Sequence, residues 1–207
     1  MHMHMLCLDL EGVLVPEIWI AVAERTGIAD LRLTTRDVAN YDELMQYRIR
    51  VMQREGLGLD LIQDVIGSLE PLPGAAAFME SMRSRYQVVI LSDTFYEFGM
   101  PLMRKLNMPT LLCHRLVVDE ARRIVSYRLR QPDPKRQSVK AFKSLNYKVV
   151  SAGDSYNDVP MLEEAHVGLF FHAPERVRAD HPGFANSETY EALTLAIDAA
   201  MAGFSSD

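Results

Sequence analysis

Short apolar runs alternate along this chain with longer segments in which apolar residues recur every three or four positions. Continuous apolar runs of this length are typical of strands buried on both faces of a sheet. Five of them lie at residues 5–8, 88–91, 110–113, 149–152 and 167–171, and residues 116–118 with 124–129 predict a β-hairpin. Helical spacing occurs at residues 75–82, 95–106, 134–145 and 190–201. This alternation predicts an α/β fold, with a parallel sheet that carries helices on both faces.

Residues 14–72 depart from this alternation. They hold three helical patterns, near residues 16–26, 41–55 and 59–69, and no convincing strand. A stretch rich in proline and glycine punctuates the end of the segment. We therefore predict a core domain of residues 1–13 and 74–207, into which a helical cap domain of residues 14–73 is inserted.

The size and charge of the chain exclude several classes of protein. Its 207 residues suffice for one core with a small inserted domain, but not for two full-size domains. The net charge of −6 argues against a nucleic-acid partner and against a polybasic membrane surface. No apolar stretch reaches the roughly 20 residues of a membrane span. Cys7 and Cys113 lie in apolar runs and predict buried thiols, which favours a cytoplasmic protein.

Acidic residues follow two of the predicted strands. Asp9 and Glu11 come directly after the first strand, and Asp154 and Asp158 come after a later one. Ligands of open α/β sheets bind at the carboxyl ends of the strands, so these side chains converge if both strands are central. Adjacent carboxylates repel unless a cation lies between them, and oxygen ligands suit Mg²⁺. For Asp158, capping of the next helix is an equally good interpretation.

Two further residues could contact an anion. The strand at 88–91 stops at Ser92, and Thr94 and Glu97 have the spacing of a capping box, so we expect Ser92 in a turn beside a helix N-terminus. Backbone N–H groups and a hydroxyl there suit a phosphate, although such serines are usually structural. Lys135 begins a predicted helix, where the helix dipole disfavours a cation unless an anion faces it. Three nearby lysines leave that assignment open: Lys140, Lys143 and Lys148.

These elements together resemble the haloacid-dehalogenase-like (HAD) phosphohydrolase superfamily. The matching motifs are Asp9 to Val13, Ser92, Lys135 and Gly153 to Asp158, and they agree in order and spacing over nearly the whole chain. The resemblance can be narrowed to the phosphoserine phosphatase branch, and most nearly to its bifunctional members, which also transfer phosphate to homoserine. It implies a Rossmann-like, doubly wound parallel sheet with a helical cap inserted after the first motif.

The resemblance also implies roles for individual residues. Asp9 would be the nucleophile that forms an aspartyl-phosphate. Mg²⁺ would be held by Asp9, the backbone carbonyl of Glu11 and Asp154, with Asp158 steadying the metal shell. Ser92 and Lys135 would bind the transferred phosphoryl group. Three more residues would contact the substrate: Asp93, Thr94 and Asn157.

Glu11 departs from the family pattern. Most phosphatases of the superfamily have Asp at this position, where it protonates the leaving group and then activates water. The additional methylene of Glu can displace a proton donor by about an ångström, which is enough to change a rate. We hypothesise that water attack on the aspartyl-phosphate is slowed, so that an alcohol such as homoserine can capture the phosphoryl group.

Two charged residues of the predicted cap indicate the rest of the substrate. Arg48 lies seven residues after Tyr41 on the apolar stripe of its helix, whereas Arg50 faces the other side. A substrate carboxylate would satisfy an inward guanidinium, and snorkelling or pairing with a cap acid is the alternative. Glu17 could receive the substrate ammonium or favour a helix N-terminus. The resemblance supports both ligand roles, and a phosphate, a carboxylate and an ammonium together describe L-phosphoserine.

Two other functions remain open at this level. One is hydrolysis of another small phosphorylated metabolite. The other is a signalling receiver module, although a receiver has its acidic pair after the first strand and its phosphorylated Asp after the third. Cap movement would hinge at residues 12–14 and 73–74. The acceptor used in the cell and the oligomeric state, with a homodimer as one alternative, are not determined.

Overall fold

Seven strands form one sheet in the computed structural model, which describes residues 3–34, 37–38 and 40–204. The strands are β1 (Met3–Leu8), β2 (Gln87–Phe95), β3 (Thr110–Val118), β4 (Ile124–Arg128), β5 (Tyr147–Gly153), β6 (Val167–Phe171) and β7 (Ala185–Ser187). Their order in the sheet is β4-β3-β2-β1-β5-β6-β7. Neighbouring strands are parallel except β3 and β4, which pair antiparallel.

Helices occupy most of the remaining described chain. They are α1 (Ile18–Thr26), α2 (Tyr41–Arg54), α3 (Leu59–Ser68), α4 (Ala75–Arg83), α5 (Tyr96–Lys105), α6 (Pro134–Ser144), α7 (Val159–Glu164), α8 (Glu175–Asp180) and α9 (Tyr190–Gly203), with a short 3-10 helix at Ala29–Arg32. Individual residues define the start of α2 and the end of α1. The Asn40 side chain accepts the backbone N–H groups of Asp42 and Glu43 at the start of α2, and Gly27 ends α1 with left-handed backbone.

Alternate residues of the strands pack into two separate apolar clusters. Leu6 and Leu8 of β1 share one cluster with α4, α5 and α9, whereas Met5 and Cys7 share the other with α6, α7 and α8. Successive side chains of a strand point to opposite faces, so each cluster covers one face of the sheet. The predicted doubly wound α/β sheet is confirmed, and Cys7 and Cys113 are buried as expected.

The segment between β1 and β2 begins with α1, α2 and α3, and it contains no strand in its described residues. Its apolar side chains, such as Ile18, Met45 and Ile62, pack into the same cluster as Leu6 of the sheet. The backbone N–H of Leu72 donates to the carbonyl of Leu14, which holds the two connections together. Because the apolar core is continuous, the domain boundaries at residues 13/14 and 73/74 stay predictions.

The predicted β-hairpin is confirmed, because residues 115–118 pair antiparallel with β4, although β3 runs unbroken from Thr110 to Val118. Two other expectations about local structure were wrong. Ser92 does not lie in a turn, because β2 continues with an irregularity to Phe95 and α5 begins at Tyr96. The capping box is also absent. Glu97 instead accepts the backbone N–H of Leu116 at 3.0 Å, so a distant partner satisfies the carboxylate in place of the helix end.

Three short elements were not predicted: the 3-10 helix, α8 and β7. Each has six residues or fewer, which is too short for a periodic pattern to emerge from the sequence. In the described part of the chain, no helix combines the length and apolar character needed to cross a membrane.

Candidate active site

The site lies at the middle of the sheet, where the strand order reverses between β1 and β5. β1 lies between β2 and β5, so the chain builds one half of the sheet outward from β1 and later returns to build the other half. Asp9 follows β1 and Asp154 follows β5, and the Asp9 N–H donates to the Ala152 carbonyl at 3.0 Å. A crevice opens where the strand order reverses, and there the two carboxylates meet.

Three carboxylates form a buried cluster in this crevice. One oxygen each from Asp9, Asp154 and Asp158 lie within 4.8 Å of one another. Burial raises the pKa of Asp9 well above its usual value and that of Asp154 to about 7, and repulsion from Asp158 adds to both shifts. Such a group of like charges is unfavourable without a cation. The all-oxygen donor set fits a hard divalent ion such as Mg²⁺.

Lys135 supplies one positive charge to this cluster. Its ammonium lies 2.9 Å from Oδ1 of Asp9 and 2.6 Å from Oδ1 of Asp158, and its side chain is 3% exposed. Burial alone would lower the pKa of Lys135, but the two carboxylates hold it well above its usual value, so the side chain stays a cation. Lys140 and Lys143 contact Glu164 and do not line this pocket.

Asp158 occupies the position before α7, but its side chain does not cap that helix. Its Oδ2 accepts the backbone N–H groups of Asp154 at 2.9 Å and Ser155 at 3.1 Å, while Oδ1 accepts from Lys135. Capping as the role of its side chain is therefore wrong, because lysine and the preceding turn take its oxygens. This close packing requires Gly153, where an added Cβ would lie 2.4 Å from Cγ of Asp158.

The end of β2 forms one wall of the pocket. Ser92 and Thr94 are buried, and the Thr94 N–H donates to the Ser92 hydroxyl oxygen at 3.2 Å. Between them, Oδ2 of Asp93 accepts the side-chain amide of Asn157 at 3.0 Å and lies 3.6 Å from the Lys135 ammonium. The irregular end of the strand thus presents a hydroxyl and a carboxylate to the same space.

Arg48 of α2 forms the opposite end of the pocket. It is 5% exposed, and its guanidinium lies 4.4 Å from the centre of the Trp19 ring. One terminal nitrogen donates to the Leu33 carbonyl at 2.7 Å, whereas Nε is buried and has no hydrogen-bond partner among the described residues. Arg50 is exposed. An inward guanidinium with an unused donor is a ready site for a carboxylate.

Glu11 and Glu17 lie between these two ends. Oε2 of Glu11 accepts the N–H of Ile18 at 2.8 Å, so this carboxyl group touches the first residue of α1. Burial, with repulsion from Glu17, raises the pKa of Glu11 to about 8. Glu17 occupies the position before α1, but its side chain makes no capping bond and lines the pocket instead. Glu11 therefore takes the contact with the helix end that Glu17 was expected to offer.

These side chains line a cavity of about 90 Å³. Of the predicted site residues, it is lined by Asp9, Glu11, Glu17, Arg48, Ser92, Asp93, Thr94, Lys135, Asp154 and Asn157. Asp158 lies behind it, in contact with Lys135. The roles assigned to these residues stay predictions, as does the Glu11 carbonyl as a metal ligand.

Comparison with known proteins decides the family. The model of the haloacid dehalogenase-like hydrolases matches residues 3–166. The chain belongs to this family. A Pseudomonas aeruginosa protein named phosphoserine phosphatase ThrH is 61% identical over 92% of this chain and 93% of its own length. A Pseudomonas syringae phosphoserine phosphatase is 62% identical over 90% of this chain and 79% of its own. This HAD hydrolase is therefore an enzyme related to the phosphoserine phosphatases, as its motifs indicated.

Solved structures agree with the fold of the HAD hydrolase described here. A phosphoserine phosphatase in apo form superposes with a TM-score of 0.72 at 18% identity, over 86% of this chain and 90% of the other. A substrate-bound phosphoserine phosphatase complex gives 0.73 at 15% identity, over 92% and 95%. The receiver alternative is not supported, because the family that matches is a hydrolase family.

Four lining residues of this HAD hydrolase were not predicted as site residues: Trp19, Thr34, Tyr41 and Ser155. Tyr41 was noticed only as part of an apolar stripe, yet its hydroxyl donates to the Asp93 carbonyl at 2.8 Å. An aromatic residue at helical spacing is usually core, so no local signal separates it from its neighbours. Ser155 lies within the last motif, Gly153 to Asp158, and that position was the one usable hint.

Proposed function

We propose that the chain is a Mg²⁺-dependent phosphoserine phosphatase that acts through an aspartyl-phosphate on Asp9. One observation carries the proposal. One cavity has a carboxylate and lysine cluster at one end and, at the other, a guanidinium nitrogen of Arg48 with no hydrogen-bond partner among the described residues. A phosphomonoester that also bears a carboxylate fits such a cavity. The names of the two Pseudomonas relatives support this substrate.

Asp9 would carry out the first displacement. Lys135 holds its Oδ1, which leaves Oδ2 to attack phosphorus. The bond between phosphorus and the serine oxygen breaks, and Glu11 gives that oxygen a proton. Ser92 and Lys135 bind the phosphoryl oxygens. Bound Mg²⁺, held by Asp9, Asp154 and the Glu11 carbonyl, would neutralise negative charge on the phosphate.

Hydrolysis of the aspartyl-phosphate would complete the reaction. Water attacks phosphorus, Asp9 leaves as a carboxylate, and Glu11 takes the proton from water. Asp158 would keep Lys135 aimed at Asp9, since it contacts the ammonium at 2.6 Å and is fully buried. Closure of the cap over the cavity would keep bulk water away from the intermediate until the product serine leaves.

The cap end would select the amino acid. Arg48 would bind the substrate carboxylate through its guanidinium, whose Nε–H has no partner among the described residues, and Glu17 would receive the ammonium. Trp19 fixes the plane of the guanidinium from one side. Asn157, together with Asp93 and Thr94, would contact the substrate from the core side.

Homoserine would serve as a second acceptor. Its hydroxyl oxygen attacks phosphorus, Asp9 is released, and the hydroxyl proton passes to Glu11. Homoserine carries the same carboxylate and ammonium as serine and differs by one methylene, so Arg48 and Glu17 could hold both. A glutamate in place of the usual aspartate supports this branch, because it changes the placement of the group that activates water.

The test is phosphate release from L-phosphoserine with Mg²⁺, with and without homoserine, for the wild type and Asp9→Asn. We expect release that falls as phosphohomoserine forms, and neither product with Asp9→Asn. Loss of activity with a chelator and its return with Mg²⁺ would support the metal. Release without transfer would remove the homoserine branch. A folded wild-type protein that releases no phosphate would contradict the proposed substrate.

A further inference from the structure

His114 is a buried histidine beside the pocket that no motif of the sequence marks as functional. It lies on β3 and is 2% exposed. The backbone N–H of Arg130 donates to its Nδ1 at 3.1 Å. A backbone N–H can only donate, so Nδ1 must be the acceptor of a neutral imidazole. The proton of that imidazole is then on Nε2.

The protonated Nε2 faces the pocket carboxylate of Asp93. The distance from Nε2 to Oδ1 of Asp93 is 3.6 Å, which is a contact between an N–H dipole and a charge and is longer than a hydrogen bond. The other oxygen, Oδ2, accepts from Asn157 at 3.0 Å and lies 3.6 Å from the Lys135 ammonium. Asp93 therefore has His114 next to one carboxylate oxygen and two pocket residues, Asn157 and Lys135, next to the other.

Packing keeps the imidazole in this orientation. The rings of Tyr41 and Phe95 both lie 6.2 Å from the centre of the His114 ring. The Tyr41 hydroxyl donates to the backbone carbonyl of Asp93, so the main chain of the same residue is held as well. A side chain with a fixed tautomer and a fixed ring can orient a carboxylate without touching the substrate.

We propose that His114 is a positioning residue that holds the Asp93 carboxylate and, through it, the Asn157 amide in the substrate pocket. The proposal rests on the proposed phosphoserine phosphatase function. Asp9 and Asp158 hold Lys135 independently of His114, with contacts of 2.9 and 2.6 Å. Loss of the histidine should therefore weaken substrate binding more than the chemical step.

Two conservative substitutions separate positioning from a structural role. Asn can replace Nδ1 as acceptor for Arg130 but does not reach Asp93, whereas Gln places an amide N–H near the position of Nε2. We expect His114→Asn to raise KM for L-phosphoserine about tenfold with kcat within about twofold of wild type, and His114→Gln to stay within about threefold in both. The reverse order would show that His114 only supports the chain at Arg130 and would overturn the proposal.

A double substitution tests whether the effect passes through Asp93. On an Asp93→Asn background, His114→Asn should add less than about a twofold change in KM. A full tenfold addition would contradict action through Asp93. His166→Asn is the matched control, because His166 Nδ1 also accepts a backbone N–H, that of Val149 at 3.0 Å, and His166 does not line the pocket. It should behave as wild type.

The tautomer can be measured without any substrate. A long-range proton–nitrogen correlation spectrum of the wild type at neutral pH should show His114 with its proton on Nε2. A proton on Nδ1, or an imidazolium, would overturn the proposal whatever the enzyme hydrolyses. Failure of the wild type to release phosphate from L-phosphoserine would instead contradict the proposed function, so the two failures are distinguishable.

Discussion

The two ends of the cavity are built differently. At the end that we propose binds the phosphate (the phosphate end), Lys135 contacts two carboxylates, and Asp158 accepts two backbone N–H groups as well. At the other end, which we propose binds the amino-acid part of the substrate (the amino-acid end), Arg48 rests against Trp19, and its buried Nε has no hydrogen-bond partner among the described residues. The first end is held together by internal ion pairs and hydrogen bonds before a ligand arrives. The second end has an unmet hydrogen bond that the substrate itself would complete.

The difference follows from where the residues originate. The carboxylates of the phosphate end follow the adjacent parallel strands β1 and β5, which the sheet brings together, and Lys135 comes from the start of α6. Arg48 and Trp19 come from helices α2 and α1, whose position depends on packing against the sheet. The residues proposed for phosphoryl transfer and those proposed for substrate selection thus come from separate parts of one chain.

Removal of the nucleophile should have the largest effect. Asp9→Asn keeps the shape of the side chain but loses the attacking oxygen, so kcat for phosphate release should fall on the order of 10⁴-fold or more. Steady-state phosphate release measures the change. Asp64→Asn, which replaces an exposed acid of α3, is the matched control and should retain activity. Substantial residual turnover by a folded Asp9→Asn protein would exclude Asp9 as nucleophile.

Breaking the amino-acid end should have a smaller effect that depends on the substrate. Arg48→Met removes the guanidinium but keeps an unbranched side chain, so kcat/KM for L-phosphoserine should fall about 10–100-fold. O-phosphoethanolamine lacks the carboxylate, and its poorer turnover should change little. Arg50→Met, on the exposed face of the same helix, serves as control. An equal loss for both substrates would mean that Arg48 supports the fold and does not read the carboxylate.

A change at the junction between the two ends should alter the fate of the intermediate. Glu11→Asp shortens the side chain, so it should lose the contact with the Ile18 N–H and restore the usual family residue. We expect the ratio of hydrolysis to homoserine transfer to rise about tenfold. Product analysis with both acceptors present gives the ratio directly. An unchanged ratio of hydrolysis to transfer would contradict the hypothesis that Glu11 slows water attack.

A substitution at Gly74, where the predicted cap joins the core, should have the smallest effect. Gly74 has φ of +89°, and an added Cβ would lie 3.0 Å from the Tyr190 ring. Gly74→Ala should therefore lower stability by about 1 kcal/mol and, if cap movement hinges here, change kcat and KM together about threefold. Thermal melts and kinetics measure both quantities.

Gly56→Ala is the control for backbone strain alone. Gly56 also has positive φ, at +68°, but an added Cβ would meet no atom within 4 Å. It should lower stability without changing the kinetics. Identical behaviour of the two variants would remove the argument for a hinge at Gly74.

The strands and most helices were predictable because their patterns are local. Apolar runs marked β1, β2, β5 and β6, and the three-to-four spacing marked α4 and α6. The acidic residues of the cavity were predictable for a related reason. They directly follow buried parallel strands, whose carboxyl ends meet at one edge of the sheet. Trp19 and Tyr41 could not be separated from ordinary core residues, since their role depends on which element they face.

The sequence by itself determined the order of strands and helices and the residue types at the strand ends, since apolar periodicity and the placement of charge are properties of neighbouring positions. Only the tertiary structure decided how those residues are used. Glu97 of α5 bonds to Leu116 of β3, Asp158 bonds to Lys135 of α6, and His114 of β3 faces Asp93 of the adjacent strand β2. Each polar group could have found a local partner, and packing brought a distant one within reach.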